Sequence, residues 1–173
     1  KTIGTNQRSD DTVASFSSRG PTLVDGAAKP DLVAPGERII ASVEVQNALA
    51  TLYPGLVVYA KMAGGQPEDV YMKMSGTSVA APVVSGAVAL MLQANPNLTP
   101  AIVKAILRFS AQPLDVSPDP WVDYLTAGAG LLNAEGAVRV TRALVANPTS
   151  TAVGSDILLD SSSLVATLQA DSG

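Results

Sequence analysis

Hydrophobic residues are spaced in two ways along the chain, and the spacing predicts helices of two kinds. Apolar side chains occupy nearly every position of residues 78–93, which predicts a helix covered by protein on all sides. They fall on one face of residues 100–108, which predicts an amphipathic helix. A third helix is predicted from Asn133 to about Val145.

The residues that flank these segments are typical of helix ends. Thr99 followed by Pro100 predicts an N-cap with proline at the first helical position. Asn95-Pro96 and Asn147-Pro148 predict the ends of the first and third helices.

Shorter apolar runs predict strands at residues 31–34, 38–43 and 70–74, and the last leads directly into a serine-rich turn. The stretch from Val43 to Ser75 is broken by Pro54-Gly55 and Gly64-Gly65 and is expected to hold a surface hairpin or loop. Three prolines within residues 112–130 predict an irregular loop.

Composition narrows the class of protein. The chain has 173 residues, of which 47% are hydrophobic, enough for one domain with a core. A net charge of −4 without a basic cluster argues against a nucleic-acid partner. The apolar run at residues 79–92 is too short and too interrupted to predict a membrane segment. The first residue is Lys1 and no signal peptide is recognised, so we expect both ends to have been cut from a longer polypeptide.

Two residue types are missing from the sequence, and their absence limits its chemistry. With no cysteine, the chain can form neither a disulfide framework nor a zinc–thiolate site. With no histidine either, any metal would have to be a hard ion on oxygen ligands, such as calcium.

The run SGTSVAAP at residues 75–82 places a serine at the start of the first predicted helix. Gly76 allows a sharp turn, and the free N–H groups of the helix N-terminus could stabilise an oxyanion formed beside Ser78. An ordinary N-cap role for Thr77 or Ser78 is the commoner use of these residues. A serine nucleophile also needs a base, usually histidine, and the chain has none.

Other sources of activation are not evident in the sequence. It contains no Gly-x-Ser-x-Gly elbow and no Ser-x-x-Lys pair. Its carboxylates lie in loops or near element ends and form no recognisable acid–base pair; Asp31, close to the Pro35-Gly36 turn, is expected to be half-buried without a catalytic role.

Four motifs in order change this interpretation: SFSSRGP at 15–21, KPDLVAPG at 29–36, GTSVAAP at 76–82 and GLLN at 130–133. Together they resemble the subtilisin-like serine proteases, or subtilases, over residues 2 to about 146. Two departures are Val79, where the family often has methionine, and Val83, where it usually has histidine. That histidine is not the family's catalytic base, so Val83 does not put catalysis in doubt.

The resemblance implies an α/β domain of three layers, a parallel sheet flanked by helices, of which residues 1–146 would be the C-terminal portion. Residues 147–173 would be a linker or the start of a following segment. The family's activity is peptide-bond hydrolysis through an acyl-enzyme on the serine that Ser78 matches, with Gly76 and Thr77 supporting the oxyanion.

The family's catalytic aspartate and histidine, and the asparagine of its oxyanion hole, lie upstream of the matching region. The resemblance therefore implies that the chain alone is inactive. It also implies a polypeptide substrate, a secreted or extracytoplasmic location, no cofactor for the chemistry, and calcium at most as a structural ion elsewhere in the protein. The expected partner is the N-terminal half of the domain or a second copy. A non-catalytic binding or assembly module is the alternative, which the intact Gly76-Thr77-Ser78 disfavours.

Overall fold

The structure of the chain is a computed structural model, which describes residues 10–44, 47–59 and 70–144. The predicted loop at 64–67 and the predicted segment 147–173 lie outside these residues. In chain order the elements are β1 (Ile39–Ser42), α1 (Ala48–Leu52), β2 (Val57–Tyr59), β3 (Val70–Met74), α2 (Thr77–Ala94), α3 (Pro100–Ser110), α4 (Pro120–Ala127) and α5 (Ala134–Ala143).

The three strands form one sheet in the order β1-β3-β2, and both pairings are antiparallel. The predicted strands at 38–43 and 70–74 are thus present as β1 and β3, and the α/β class is confirmed. Parallel pairing within the described residues is limited to a bridge between Val33 and Leu131. The predicted strand at residues 31–34 is therefore shorter than expected, reduced to this bridge.

The stretch between β1 and β3 holds structure of its own. It contains α1, a single 3-10 turn at Pro54–Leu56, and β2. Because β2 pairs antiparallel with β3, the two strands form the arms of a hairpin, with Val58 opposite Tyr71. The expectation of a hairpin or loop in this stretch agrees with this pairing.

The hydrophobic core of the described residues lies where α2 and α3 pack on α5. Met91, Ile106 and Ala137, one from each helix, are almost completely buried. Leu107, on the predicted apolar face of α3, is also in this core. The apolar face of α3 that the sequence predicts therefore lies in this core.

Helix α2 is covered on one side only by the described residues. Its buried side chains are Ala87 and Met91, whereas Leu90 is 51% exposed. The expectation of a helix covered on all sides is therefore not met within the described part of the chain. By length and composition α2 could also cross a membrane, yet its buried side packs in the core described above.

Capping side chains fix where α3 and α5 begin. Thr99 Oγ1 accepts a hydrogen bond from the backbone N–H of Ile102 at the start of α3. Asn133 Oδ1 accepts from Gly136 N at 2.9 Å at the start of α5. Both caps agree with the helix starts predicted from the sequence.

The expectation of an irregular loop throughout residues 112–130 is wrong for residues 120–127, which form α4. Asp119 Oδ1 accepts a hydrogen bond from Trp121 N at 2.9 Å, and Pro120 occupies the first helical position. Proline is compatible with that position because its missing N–H would have no intrahelical partner there. The prolines of this segment thus start a helix rather than prevent one.

Candidate active site

Ser78 is the second residue of α2 and its side chain is exposed. Within the described part of the chain, the structure gives its hydroxyl no hydrogen-bond partner. An N-cap residue would instead use its side chain to accept from the helix, and the N-cap position belongs to Gly76, which has no side chain. Ser78 is therefore not the N-cap that the commoner interpretation of this motif required.

Gly76 adopts a backbone conformation that brings Ser78 to the surface. Its φ of 155° and ψ of 160° lie in a region that is essentially confined to glycine. A Cβ atom on this residue would lie 3.4 Å from Ser78 Oγ. The glycine therefore allows the turn into α2 and also leaves space beside the hydroxyl.

The first N–H groups of α2 are arranged to bind negative charge. The N–H groups of Val79 and Ala80 both donate to Gly76 O, at 3.0 and 3.1 Å. Those of Thr77 and Ser78 precede the first helical hydrogen bond, and the structure gives them no acceptor among the described residues. Free N–H groups at the positive end of a helix dipole are donors of the kind that can bind a negative charge.

A second motif lies directly against this turn. Gly76 N donates a hydrogen bond of 2.8 Å to Gly36 O, at the end of KPDLVAPG. A Cβ atom on Gly36 would lie 2.8 Å from the Cβ of Ala80, so the two segments are packed as closely as their backbones allow. The sequence identifies a Pro-Gly turn here but does not show that it supports the start of α2.

All four motifs line one cleft on a side of α2. The cleft has a volume of about 860 Å³. Phe16, Leu32, Ala80 and Leu131 each contribute from a different motif. Their common position explains why motifs so far apart in the sequence occur together.

Asp31, in the KPDLVAPG motif, joins two lysines at the surface. Its carboxylate lies 2.5 Å from Lys29 Nζ and 3.0 Å from Lys104 Nζ, and its side chain is 31% exposed. Burial alone would raise the pKa of Asp31, but the two lysines outweigh that effect and hold the pKa below its ordinary value. The ion pairs link the KPDLVAPG motif to α3 and give Asp31 a structural role, in line with its predicted half-burial.

The lowered pKa of Asp31 predicts a pH dependence of stability. A carboxylate whose pKa is lower in the folded state stabilises the fold above its unfolded pKa of about 4, and this contribution is lost as the pH falls through the folded pKa. We expect Asp31→Asn to lower the free energy of unfolding by about 1 kcal/mol at pH 7. The difference from the unsubstituted protein should shrink below about pH 4. Urea denaturation of the two proteins at pH 7 and at pH 3 measures this difference in the free energy of unfolding.

Lys104→Ala is the matched control for that experiment. Because Lys104 is one of the two partners, Asp31→Asn should cost less stability in a Lys104→Ala background than in the unsubstituted protein. A cost that is the same at pH 3 and pH 7 would contradict the assignment.

The acidic side chains of the described residues form no cluster that could hold a metal ion. Nowhere in residues 10–44, 47–59 and 70–144 do three acidic side chains come close enough together to hold a metal ion. Glu68 and Asp69, two of the carboxylates that the sequence places in loops or near element ends, lie outside the described part. We therefore assign no metal ligand.

An exposed serine behind a glycine, at the N-terminus of a helix, is the arrangement in which a serine nucleophile is presented. The model of the Subtilase family matches residues 2–138, and the chain belongs to this family. This confirms the resemblance inferred from the four motifs.

Individual relatives are similar over the same region. The serine protease AprX of Bacillus subtilis (strain 168) is 44% identical over 131 residues, covering 75% of this chain and 26% of AprX. The subtilisin-like protease SBT3.9 of Arabidopsis thaliana is 35% identical over 137 residues, which cover 73% of this chain and 16% of that protein. This chain thus spans about a quarter or less of the length of these relatives.

Solved structures show the same likeness. Fervidolysin from Fervidobacterium pennivorans, described as a keratinolytic enzyme related to subtilisin, matches with a TM-score of 0.53 and 29% identity, covering 73% of this chain and 16% of fervidolysin. The CspB protease of Clostridium perfringens matches with a TM-score of 0.52 and 27% identity, covering 75% of this chain and 23% of CspB.

Proposed function

We propose that this chain is the nucleophile-bearing part of a subtilisin-like serine endopeptidase. Ser78 Oγ gives its proton to a base and attacks the carbonyl carbon of the scissile peptide bond; the C–N bond breaks and the new amine leaves with that proton. Water then hydrolyses the remaining acyl-enzyme and releases the new carboxyl end. The N–H groups at the start of α2, held by Gly76 and Thr77, stabilise the oxyanion. One observation carries the proposal: Ser78 is exposed at the N-terminus of α2, and its hydroxyl makes no structural hydrogen bond within the described residues.

The base that activates Ser78 belongs, in this proposal, to polypeptide outside the chain. The 173 residues contain no histidine, and a serine without a base remains a weak nucleophile. The catalytic histidine, its aspartate and an asparagine of the oxyanion hole are assigned to the N-terminal part of the domain. The chain by itself is therefore inactive.

The same missing part covers the exposed side of α2. Leu90 is 51% exposed and Leu92 39% exposed, which is unfavourable in water for two large apolar side chains of one helix. We assign this surface to the N-terminal half of the catalytic domain, with self-association as the outcome when that half is absent. The substrate is a polypeptide, and the location is extracytoplasmic, as the family resemblance implies.

Labelling with a fluorophosphonate tests the proposal, because this reagent reacts with activated serines. The complete protein should be labelled at Ser78, and the isolated 173-residue chain should not be labelled. Absence of labelling at Ser78 in the folded, complete protein would refute the proposed nucleophile. Stoichiometric labelling of the isolated chain would instead refute the assignment of the base to other polypeptide.

A further inference from the structure

The turn that carries the nucleophile is held by a side chain to which neither the sequence motifs nor the proposed chemistry assigns a role. We call residues 75–77 the nucleophile turn and residues 35–38 the facing loop. Ser75 Oγ accepts a hydrogen bond of 2.9 Å from the backbone N–H of Arg38, across 37 positions of sequence. The bond joins the nucleophile turn to the facing loop only three residues before Ser78.

This hydrogen bond replaces a rung of the sheet. In the ladder between β1 and β3, Ile39 lies opposite Met74, so the next pair would be Arg38 and Ser75. Arg38 has a φ of 56°, in the left-handed region, so its backbone leaves the strand conformation at this point. The hydroxyl of Ser75 takes the acceptor position for Arg38 N–H, and the connection between the two segments continues.

A second bond completes the attachment. Gly76 N donates to Gly36 O at 2.8 Å, so successive residues of the nucleophile turn are each bonded to the facing loop. Two bonds restrain the direction of a turn as well as its position, whereas one bond would act as a pivot. We propose that Ser75 is a positioning residue that fixes the direction in which α2 presents Ser78.

The proposed role acts on the reaction rate more than on folding. Ser75 and the bond it makes are exposed, so water can replace the lost partner of Arg38 N–H when the hydroxyl is removed. Attack on a carbonyl, by contrast, is sensitive to small errors of position, since a displacement of about 1 Å can cost about 100-fold in rate. This inference rests on the proposed function, because it assumes that Ser78 is the nucleophile.

The experiment compares Ser75→Ala, Ser75→Thr and Ser85→Ala in the complete protein. Ser75→Ala should lower kcat roughly ten-fold and change KM less than about two-fold, because substrate binding does not depend on the turn. Ser75→Thr keeps the hydroxyl and should restore most of kcat. Ser85→Ala removes an exposed serine on α2 whose bond is to Ala81 O within the same helix, and it should leave kcat unchanged.

Hydrogen exchange of the Gly76 amide gives a readout that does not require activity. Ser75→Ala should accelerate this exchange, while Ser75→Thr and Ser85→Ala should leave it at the unsubstituted rate. Unchanged exchange and unchanged kcat in Ser75→Ala would overturn the inference. A loss of kcat that Ser75→Thr fails to rescue would also overturn it. If the unsubstituted protein is not labelled at Ser78, the proposed function fails, and exchange still decides whether Ser75 holds the turn.

Discussion

Replacing Ser78 by alanine in the complete protein is expected to lower kcat for peptide hydrolysis by about a million-fold, the size of effect known for removal of the serine from a subtilisin-type triad. The reason is that the substitution removes the only atom that bonds to the substrate carbonyl. The N–H groups at the start of α2 remain, so a residual rate above that of water is expected. Steady-state kinetics on a peptide anilide measure the fall in kcat and the residual rate.

The same substitution should leave the fold intact. Ser78 is exposed, its hydroxyl makes no hydrogen bond within the described residues, and alanine is a favourable helical residue. The thermal midpoint of Ser78→Ala should therefore stay close to that of the unsubstituted protein, as should that of the control Ser85→Ala. Retention of hydrolysis in a folded Ser78→Ala protein would show that another group is the nucleophile.

Local sequence signals were sufficient for most of the helices. The apolar spacing and the caps at Thr99 and Asn133 predicted α3 and α5, because both signals act between residues close in sequence. Helix α4 was missed although Asp119-Pro120 is the same kind of start as Thr99-Pro100. The difference lies in the surrounding prolines: three within 112–130 favour a loop, yet one of them, Pro120, is the first residue of the helix.

The position of Ser78 was also predictable, but the contacts that hold the turn before it were not. Glycine followed by a helical pattern indicates where the serine lies. The contacts of this turn with Gly36 and Arg38 join segments about 40 residues apart, and neither segment alone carries a signal for them. The same applies to the pairing of Asp31 with Lys104. Such contacts depend on the tertiary fold, so periodicity and capping cannot reveal them.

The second large effect is expected from adding a single methyl group at Gly130. Its φ is +115°, and a Cβ atom would lie 2.0 Å from Gln112 O and 3.0 Å from Pro113 N. The residue also stands where Leu131 exchanges hydrogen bonds with Gln112 and where Gly130 O accepts from Val33 N. An added methyl group must therefore displace backbone atoms at a point where three chain segments are joined by hydrogen bonds.

We expect Gly130→Ala to lower the free energy of unfolding by about 4 kcal/mol, combining an unfavourable φ with a backbone overlap. This is a large part of the 5–15 kcal/mol typical of a domain, so the thermal midpoint should fall steeply and soluble yield with it. Gly86→Ala is the matched control, since a Cβ atom on Gly86 in α2 meets none of the described residues within 4 Å. Alanine there should raise stability by about 0.5–1 kcal/mol through its helix propensity. If Gly130→Ala and Gly86→Ala have the same thermal midpoint, the close approach at Gly130 is not what holds these segments in place.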